Sequence, residues 1–303
     1  KGQDTAVEEI ARIIRASKAG LKDSGQPLGV FLLVGPSGVG KTETGLAVAD
    51  LLFGGEKSAV SVNMSEFQEK HTVSRLIGSP PGYVGYGEGG VLTEAVRRRP
   101  YSAVLLDEAE KANQEVINLF YQVFDKGELA DGEGRNIDFK NTVIFLTSNL
   151  GADIILQMAA SEENLSCEQI VSAIRPVLSA HFKPALLARM RIIPYMPLGA
   201  DVMEQIVEIK LQRLQHRVKQ VHNIVLECTG SVISQIAQCC LEVETGARNI
   251  DHIMEGTILP LVSKEILSGF TSGSLPGQIT LASAEDGSFV LHLDQDNKET
   301  AIM

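Results

Sequence analysis

Cysteine is scarce in this chain: Cys167, Cys228, Cys239 and Cys240 are the four among 303 residues. They form no C-x-x-C pair and have no histidine at ligand spacing, which argues against a zinc site and a disulfide framework. Free thiols fit a reducing cytoplasm. Long apolar runs are missing too. The longest span five or six residues, far short of a membrane span, and no signal peptide is visible. Positive charge is in deficit: 27 Lys and Arg against 38 Asp and Glu leave a formal net charge of −11. That balance argues against a general nucleic-acid surface, although a local basic patch would not register in it. There is no internal repeat and no low-complexity tract. The chain opens on Lys1, not Met, already inside a structured motif, so a piece of a longer protein is expected.

What is present supports real cores. Hydrophobic residues make up 44% of the chain, and its length suggests one large or two modest domains. A Thr5/Glu8 capping-box pattern precedes a helix with Val7, Ile10, Ala11 and Ile14 on one face. The apolar run 30–34 and residues 59–63 read as strands and 102–106 and 142–146 as buried strands, with helices at 90–98 and 112–124 and a short helix capped by Ser65. Asp131-Gly132 and Gly134, in the middle of 128–139, signal a hairpin. This alternation predicts an α/β fold, a parallel sheet flanked by helices on both faces. After about residue 197 helices dominate, at 201–221, 231–241 and 249–267. Runs at 278–282 and 288–293 flank Asp286-Gly287 as a short β-hairpin. The expected division is 1–196 for a large α/β subdomain and 197–303 for a smaller, mainly helical one, frayed or tag-like from residue 296.

One segment carries most of the chemical information. Gly35, Pro36, Ser37, Gly38, Val39, Gly40, Lys41 and Thr42 spell G-x-x-x-x-G-K-T between a strand and a helix-compatible stretch. That is the context of a phosphate-binding P-loop. Backbone N–H groups close around phosphate oxygens, and the helix N-terminus adds partial positive charge. Lys41 can reach the β/γ-phosphates of a nucleotide such as ATP, and the Thr42 hydroxyl can ligate Mg²⁺. A P-loop needs a partner carboxylate, and the buried run 104–106 leads into Asp107 and Glu108. Asp107 can orient the Mg²⁺ shell, and Glu108 can take a proton from the attacking water. The bland alternative is a polar strand end, which the P-loop upstream disfavours. Thr147-Ser148-Asn149 ends the fourth strand, where Asn149 can hold the lytic water or simply serve a turn or cap.

At these spacings the residues resemble an AAA+ ATPase of the Clp/Hsp100 unfoldase class, and within it the second, C-terminal ATPase ring. Further motifs follow in the family's order over almost the whole chain. Gly2-Gln3-Asp4-Thr5-Ala6-Val7 resembles the opening that sits beside the adenine. Gly78-Ser79-Pro80-Pro81-Gly82-Tyr83-Val84-Gly85 resembles the pore loop. Phe182-Lys183-Pro184 through Leu187-Ala188-Arg189 resembles the arginine-finger segment, and Gly246-Ala247-Arg248 the sensor 2. The resemblance implies ATP with Mg²⁺. It implies Arg189 as a finger reaching a neighbouring subunit's γ-phosphate. Ala188 replaces the family's usual Asn there, and Arg191 is a nearby competitor. It implies Arg248 as a γ-phosphate contact from the second subdomain. Ile206 and Ala247 would line the adenine, although Ile206 suits a plain core position equally well. Tyr83 and Val84 would grip an extended polypeptide, six such loops surrounding the pore of a homohexamer. Tyr86 assists or packs, and 132–136 is a candidate second pore loop.

Some members dock a barrel peptidase through an Ile/Leu/Val-Gly-Phe/Leu tripeptide. The interval 150–189 holds none, so no peptidase partner is expected. The local choices at 36–44, 187–195 and 244–251 resemble ClpV-type ATPases of bacterial type VI secretion. ClpB-type disaggregases would more typically show L-N-R-I-D and G-A-R-P. The resemblance thus implies a cytoplasmic bacterial motor that extracts subunits from contracted secretion sheaths, with a ClpB-type disaggregase ring as the alternative. A nucleic-acid-associated ATPase of the same superfamily is disfavoured by the acidic balance. A binding-only module is disfavoured by intact Lys41, Asp107 and Glu108. Neither nucleic acid nor membrane is an expected partner.

Overall fold

The computed structural model describes residues 1–21, 25–83, 85–161, 165–241, 246–284 and 286–294. The chain forms two compact units, one from Gln3 to Pro197 and one from Leu198 onward together with Lys1 and Gly2.

The first unit opens with α1 (Asp4–Lys18), β1 (Gly29–Val34), α2 (Lys41–Phe53), β2 (Ala59–Asn63), α3 (Val73–Ile77) and α4 (Val91–Arg98). It continues with β3 (Ala103–Asp107), α5 (Gln114–Lys126), and the hairpin β4 (Glu128–Ala130) and β5 (Asn136–Asp138). It closes with β6 (Val143–Ser148), α6 (Ala152–Ser161), α7 (Cys167–His181), α8 (Pro184–Leu187) and β7 (Arg191–Pro194). Five parallel strands form one sheet in the order β2-β3-β6-β1-β7. Every residue of β1 and β6 is buried. This is why those strands read as unbroken apolar runs instead of alternating ones: helices cover both faces of a parallel sheet. Phe31 of β1 and Phe145 of β6 stack at 5.3 Å between ring centroids, and both are fully buried.

Register decides where the polar residues emerge. Leu106 pairs with Leu146 and Leu33 with Thr147. Asp107 and Thr147, each one residue further along, therefore lie at the same height near the carboxyl ends of their strands. The carboxyl ends of parallel strands are where such sheets place their ligands.

The second unit contains α9 (Ala200–His222), β8 (Val225–Cys228), α10 (Gly230–Leu241), α11 (Arg248–Ile253), α12 (Leu259–Ser272), β9 (Gln278–Ser283) and β10 (Phe289–Asp294). Its core is built on α9, where Met203, Val207, Leu211, Leu214 and Val218 recur at helical spacing and are buried. The expected hairpin is present as β9 and β10, and β8 adds a parallel third strand to it.

Several expectations need correction. Gln3, not Thr5, occupies the N-cap of α1 and gives it no side-chain cap, because its amide is used elsewhere. Asn63, not Ser65, caps the short turn of helix at Met64–Phe67, accepting from the Ser65 N–H at 3.0 Å. The helix expected over 249–267 is α11, a π-helical turn at Met254–Ile258, and α12. Pro260 at the start of α12 cannot donate to the preceding turn, which suits a wider turn before it.

Phe145→Ala should destabilise the first unit by about 3–5 kcal/mol, the cost of emptying a fully packed aromatic site. Urea unfolding followed by far-UV circular dichroism would test this, and a loss under about 1 kcal/mol would contradict the packing described.

Candidate active site

The P-loop lies between β1 and α2. Gly40 caps α2 with φ at +97°, a left-handed conformation that favours glycine, and α2 has no side-chain cap. Its first N–H groups are thus presented to the loop, as anion binding at a helix N-terminus requires. Gly35 is needed for a different reason. A Cβ there would overlap the carbonyl oxygen of Tyr195 just beyond β7. Tyr195 is fully buried and donates its hydroxyl to Thr44 Oγ1 at 2.8 Å. Burial pushes its pKa up to about 12, so the phenol stays neutral and braces the first turn of α2 from below.

Lys41 is only 8% exposed. Its Nζ donates to the carbonyls of Gly35 and Pro36, both at 2.6 Å, and to Asn149 Oδ1 at 2.8 Å. A desolvated ammonium is tolerated when its donors are met, and here acceptors from the loop and from the end of β6 meet them. Lys41 and Asn149, 108 positions apart, are in direct contact.

Asp107 Oδ1 accepts two hydroxyls, from Thr42 and from Thr147, each at 3.0 Å. Thr147 Oγ1 in turn accepts the Glu108 N–H at 3.1 Å. Glu108 has φ at +57° and ψ at +47°, a left-handed backbone uncommon outside glycine. Asp107 faces the threonines, while Glu108 Oε2 accepts from Lys111 Nζ at 3.0 Å. The Asn149 N–H donates to Glu110 Oε1 at 3.2 Å.

Three roles were not legible in the sequence. Thr147 links the two acids, yet reads as a β-branched strand residue. Gln3 is buried and clamps two segments, its Nε2 donating to Val39 O at 3.3 Å and Met196 O at 2.8 Å while its Oε1 accepts from Met196 N–H. Glu110 holds the backbone that carries Asn149. The signal available for Thr147 was its position one residue past an unbroken apolar run.

The other candidates of the first unit have partners of their own. Tyr83 is 71% exposed and Tyr86 53% exposed, on the loop that follows α3. Val84 lies outside the described residues. The base of this loop is bound to the β4–β5 turn: Gly132 donates its N–H to Ile77 O at 2.9 Å, and a Cβ on Gly132 would overlap Gly78. Asp131 pins that turn, accepting from the N–H groups of Glu133 and Arg135 and from Arg135 Nε at 2.7 Å. The segment 132–136 is therefore a braced turn. Arg189 is fastened to Asp125 of α5 through Nε and Nη2, at 2.8 and 3.0 Å. That hydrogen bonding holds the Asp125 carboxyl below the usual range. Arg191 pairs with Glu9 of α1 at 2.7 Å. In the second unit Arg248 opens α11 with Ala247 as its N-cap, and Ile206 and Ala247 pack partly buried against that unit's core.

The donor set suits ATP with Mg²⁺. The uncapped α2 terminus, Gly40 and Lys41 present positive groups to phosphate oxygens. Thr42 and Asp107 offer hard oxygen donors, the type Mg²⁺ takes in small number while keeping substrate phosphates and water in its shell.

Thr147→Val keeps the shape of residue 147 but leaves the Glu108 N–H without its acceptor. The first unit should lose about 1–3 kcal/mol in urea unfolding, and Thr147→Ser should recover most of it. Equal stability of the Val and Ser variants would contradict the linking role.

A family profile described as the AAA domain (Cdc48 subfamily) matches residues 26–193, more than half of the chain, and one described as the C-terminal, D2-small domain of ClpB protein matches 198–275. Among curated proteins the chain is 50% identical over 286 residues to the AAA+ ATPase ClpV1 of Pseudomonas aeruginosa, covering 94% of this chain and 32% of that protein. It is 47% identical over 291 residues to the chaperone protein ClpB of Yersinia enterocolitica, with 96% and 32% covered. Against ClpB of Meiothermus ruber the identity is 46% over 269 residues, with 88% and 31% covered. The chain thus spans about a third of the length of these relatives. With an AAA domain followed by a D2-small domain, the chain belongs to the Clp/Hsp100 branch of the AAA+ ATPases and carries its C-terminal ATPase domain.

Proposed function

We propose that this chain is the ATP-hydrolysing part of a protein-remodelling motor, acting in a homohexameric ring in the bacterial cytoplasm and drawing polypeptide through its pore. The observation that carries the reading is the convergence on one sheet edge of Lys41 with Asn149 and of Thr42 with Asp107, Thr147 and Glu108. Phosphoryl transfer asks a protein mainly for positioning and charge stabilisation. Lys41 and the N-terminus of α2 supply positive charge where phosphate lies. Asn149 orients the attacking water, and Glu108 accepts that water's proton. Mg²⁺ held by Thr42 and Asp107 would supply charge neutralisation on the transferring group. Arg189 serves a neighbouring copy's site. Arg248, Ala247 and Ile206 of the second unit serve the γ-phosphate and the base.

Tyr83, with Val84 beside it, is assigned to grip the substrate. The support is Tyr83's exposure, which presents a broad amphipathic ring on a glycine-flanked loop anchored at its base. For the finer function we favour disassembly of contracted type VI secretion sheaths. The local choices at 36–44, 187–195 and 244–251 and the similarity to ClpV1 support it. The second reading is a ClpB-type disaggregase ring, favoured by the D2-small match and the similarity to ClpB. Incubating the native-length protein and ATP with purified contracted sheaths, and separately with a heat-aggregated protein, discriminates the two. Sheath release without disaggregation supports the first reading, and the reverse supports the second.

Glu108→Gln should retain ATP binding, measured with a fluorescent analogue, while turnover falls about 10²–10⁴-fold. Wild-type turnover in that variant would remove Glu108 from its role. Tyr83→Ala should lose polypeptide processing out of proportion to any change in ATP turnover, and unimpaired processing would contradict the gripping role.

A further inference from the structure

Arg189 is held by its own subunit in one orientation. Nε and Nη2 donate to the two carboxylate oxygens of Asp125, Nη1 donates to Ala185 O at 2.7 Å, and the guanidinium lies 5.8 Å from the ring centroid of Tyr121. A guanidinium has five N–H donors. The edge formed by Nε and Nη2 is spent on Asp125, and one Nη1 donor on Ala185. What remains is one N–H on each terminal nitrogen, donors suited to contact with a phosphate.

The partner of Arg189 belongs to a helix that is itself anchored at both ends. Asn113 caps α5, accepting from the Glu115 N–H at 2.9 Å, and donates its own N–H to Phe67 O at 2.8 Å. Gln114, at the start of α5, donates to His181 O at 2.7 Å. Asp125 lies about 16 Å further along the helix and fastens Arg189. The segment that carries Arg189 is thus tied to α5 at two separated points, and α5 begins six residues after Glu108.

We propose that Asp125 is a positioning residue for Arg189: it presents the remaining guanidinium donors to the phosphate of a nucleotide bound by a neighbouring copy of this chain. The inference rests on the reading of Arg189 as an arginine finger and adds the residue that orients it. The Asp125 and Arg189 side chains are 48% and 33% exposed, and an ion pair so open to solvent contributes little to stability. Its contribution is orientation, so loss of Asp125 acts on kcat and not on folding.

The test is steady-state ATP turnover of the native-length protein above the Lys41→Ala background, at concentrations where specific activity no longer rises. Asp125→Ala and Asp125→Asn should each lower kcat about ten- to a hundredfold with KM for ATP nearly unchanged. Asp125→Glu should restore part of the loss. Asp125→Ala combined with Arg189→Ala should be no slower than Arg189→Ala alone, as for two residues acting through one contact. Measuring both Ala and Asn variants separates lost orientation from a folding defect of either. Normal kcat in both Asp125 variants beside a slow Arg189→Ala would overturn the inference and leave the finger reading standing. Losses that multiply in the double variant would also overturn it. Normal kcat in Arg189→Ala would overturn the finger reading and this inference with it.

Discussion

A single carboxylate oxygen organises this molecule's chemistry. Asp107 Oδ1 accepts a hydroxyl from Thr42 at the start of α2 and another from Thr147 at the end of β6. Hydrogen bonds to an ionised acceptor are roughly twice as strong as neutral ones. They join three elements that are remote in sequence, and they form only if β1, β3 and β6 keep their register. A slip of one residue in β3 against β6 would turn Asp107 to the other face of the sheet. The unbroken apolar packing beneath, Leu32, Leu106 and Leu146 among it, therefore fixes the position of a polar atom at the edge. Core and site are two ends of the same strands.

Two costs accompany the site. The first is the buried ammonium of Lys41. Desolvating a charge costs several kcal/mol unless its donors are matched, and Gly35, Pro36 and Asn149 match them. The same contacts close the loop on its lysine, so an entering phosphate competes with two backbone carbonyls for Nζ. The second is the left-handed backbone of Glu108, of order 1–3 kcal/mol for a residue with a Cβ. Bonds from Glu108 to Thr147 and Lys111 hold it there. The strain has a local consequence. The reversal ends the strand at Asp107, so Glu108 leaves the sheet while its N–H stays bonded to Thr147.

Much of this was legible in the sequence because P-loop chemistry is contiguous. Gly35 to Thr42 contains its own strand exit, loop and helix start, and the acids and Asn149 each terminate an apolar run. What could not be read depended on distant partners. The four residues of β7 begin with Arg191 and end with Pro194, too short and too mixed for an alternation signal. They form a strand only because β1 offers an open edge. The strand β8 was missed for the same reason, since β9, its partner, lies about fifty residues on. Gln3 lies beside a capping pattern that the structure does not use, because its amide is committed to Met196 and Val39. Asp125 and Arg189 are 64 positions apart, and a surface aspartate at the end of a helix carries no mark of its partner. Val84, expected to grip substrate beside Tyr83, falls outside the described residues.

The placement of α5 draws these pieces together. Its N-terminus follows the segment Glu108–Lys111, and its last turn holds Arg189 through Asp125. Gly127 then turns the chain directly into β4, and the β4–β5 turn is bonded to Ile77 at the base of the loop that carries Tyr83. A helix resists bending because each of its turns is closed by backbone hydrogen bonds. Displacing the acid end of α5 relative to the sheet must therefore shift Asp125 and the hairpin together, unless the bonds at either end break. One helix thus lies between the segment that follows Glu108, the Asp125–Arg189 pair, and the hairpin bonded to the base of the loop that carries Tyr83.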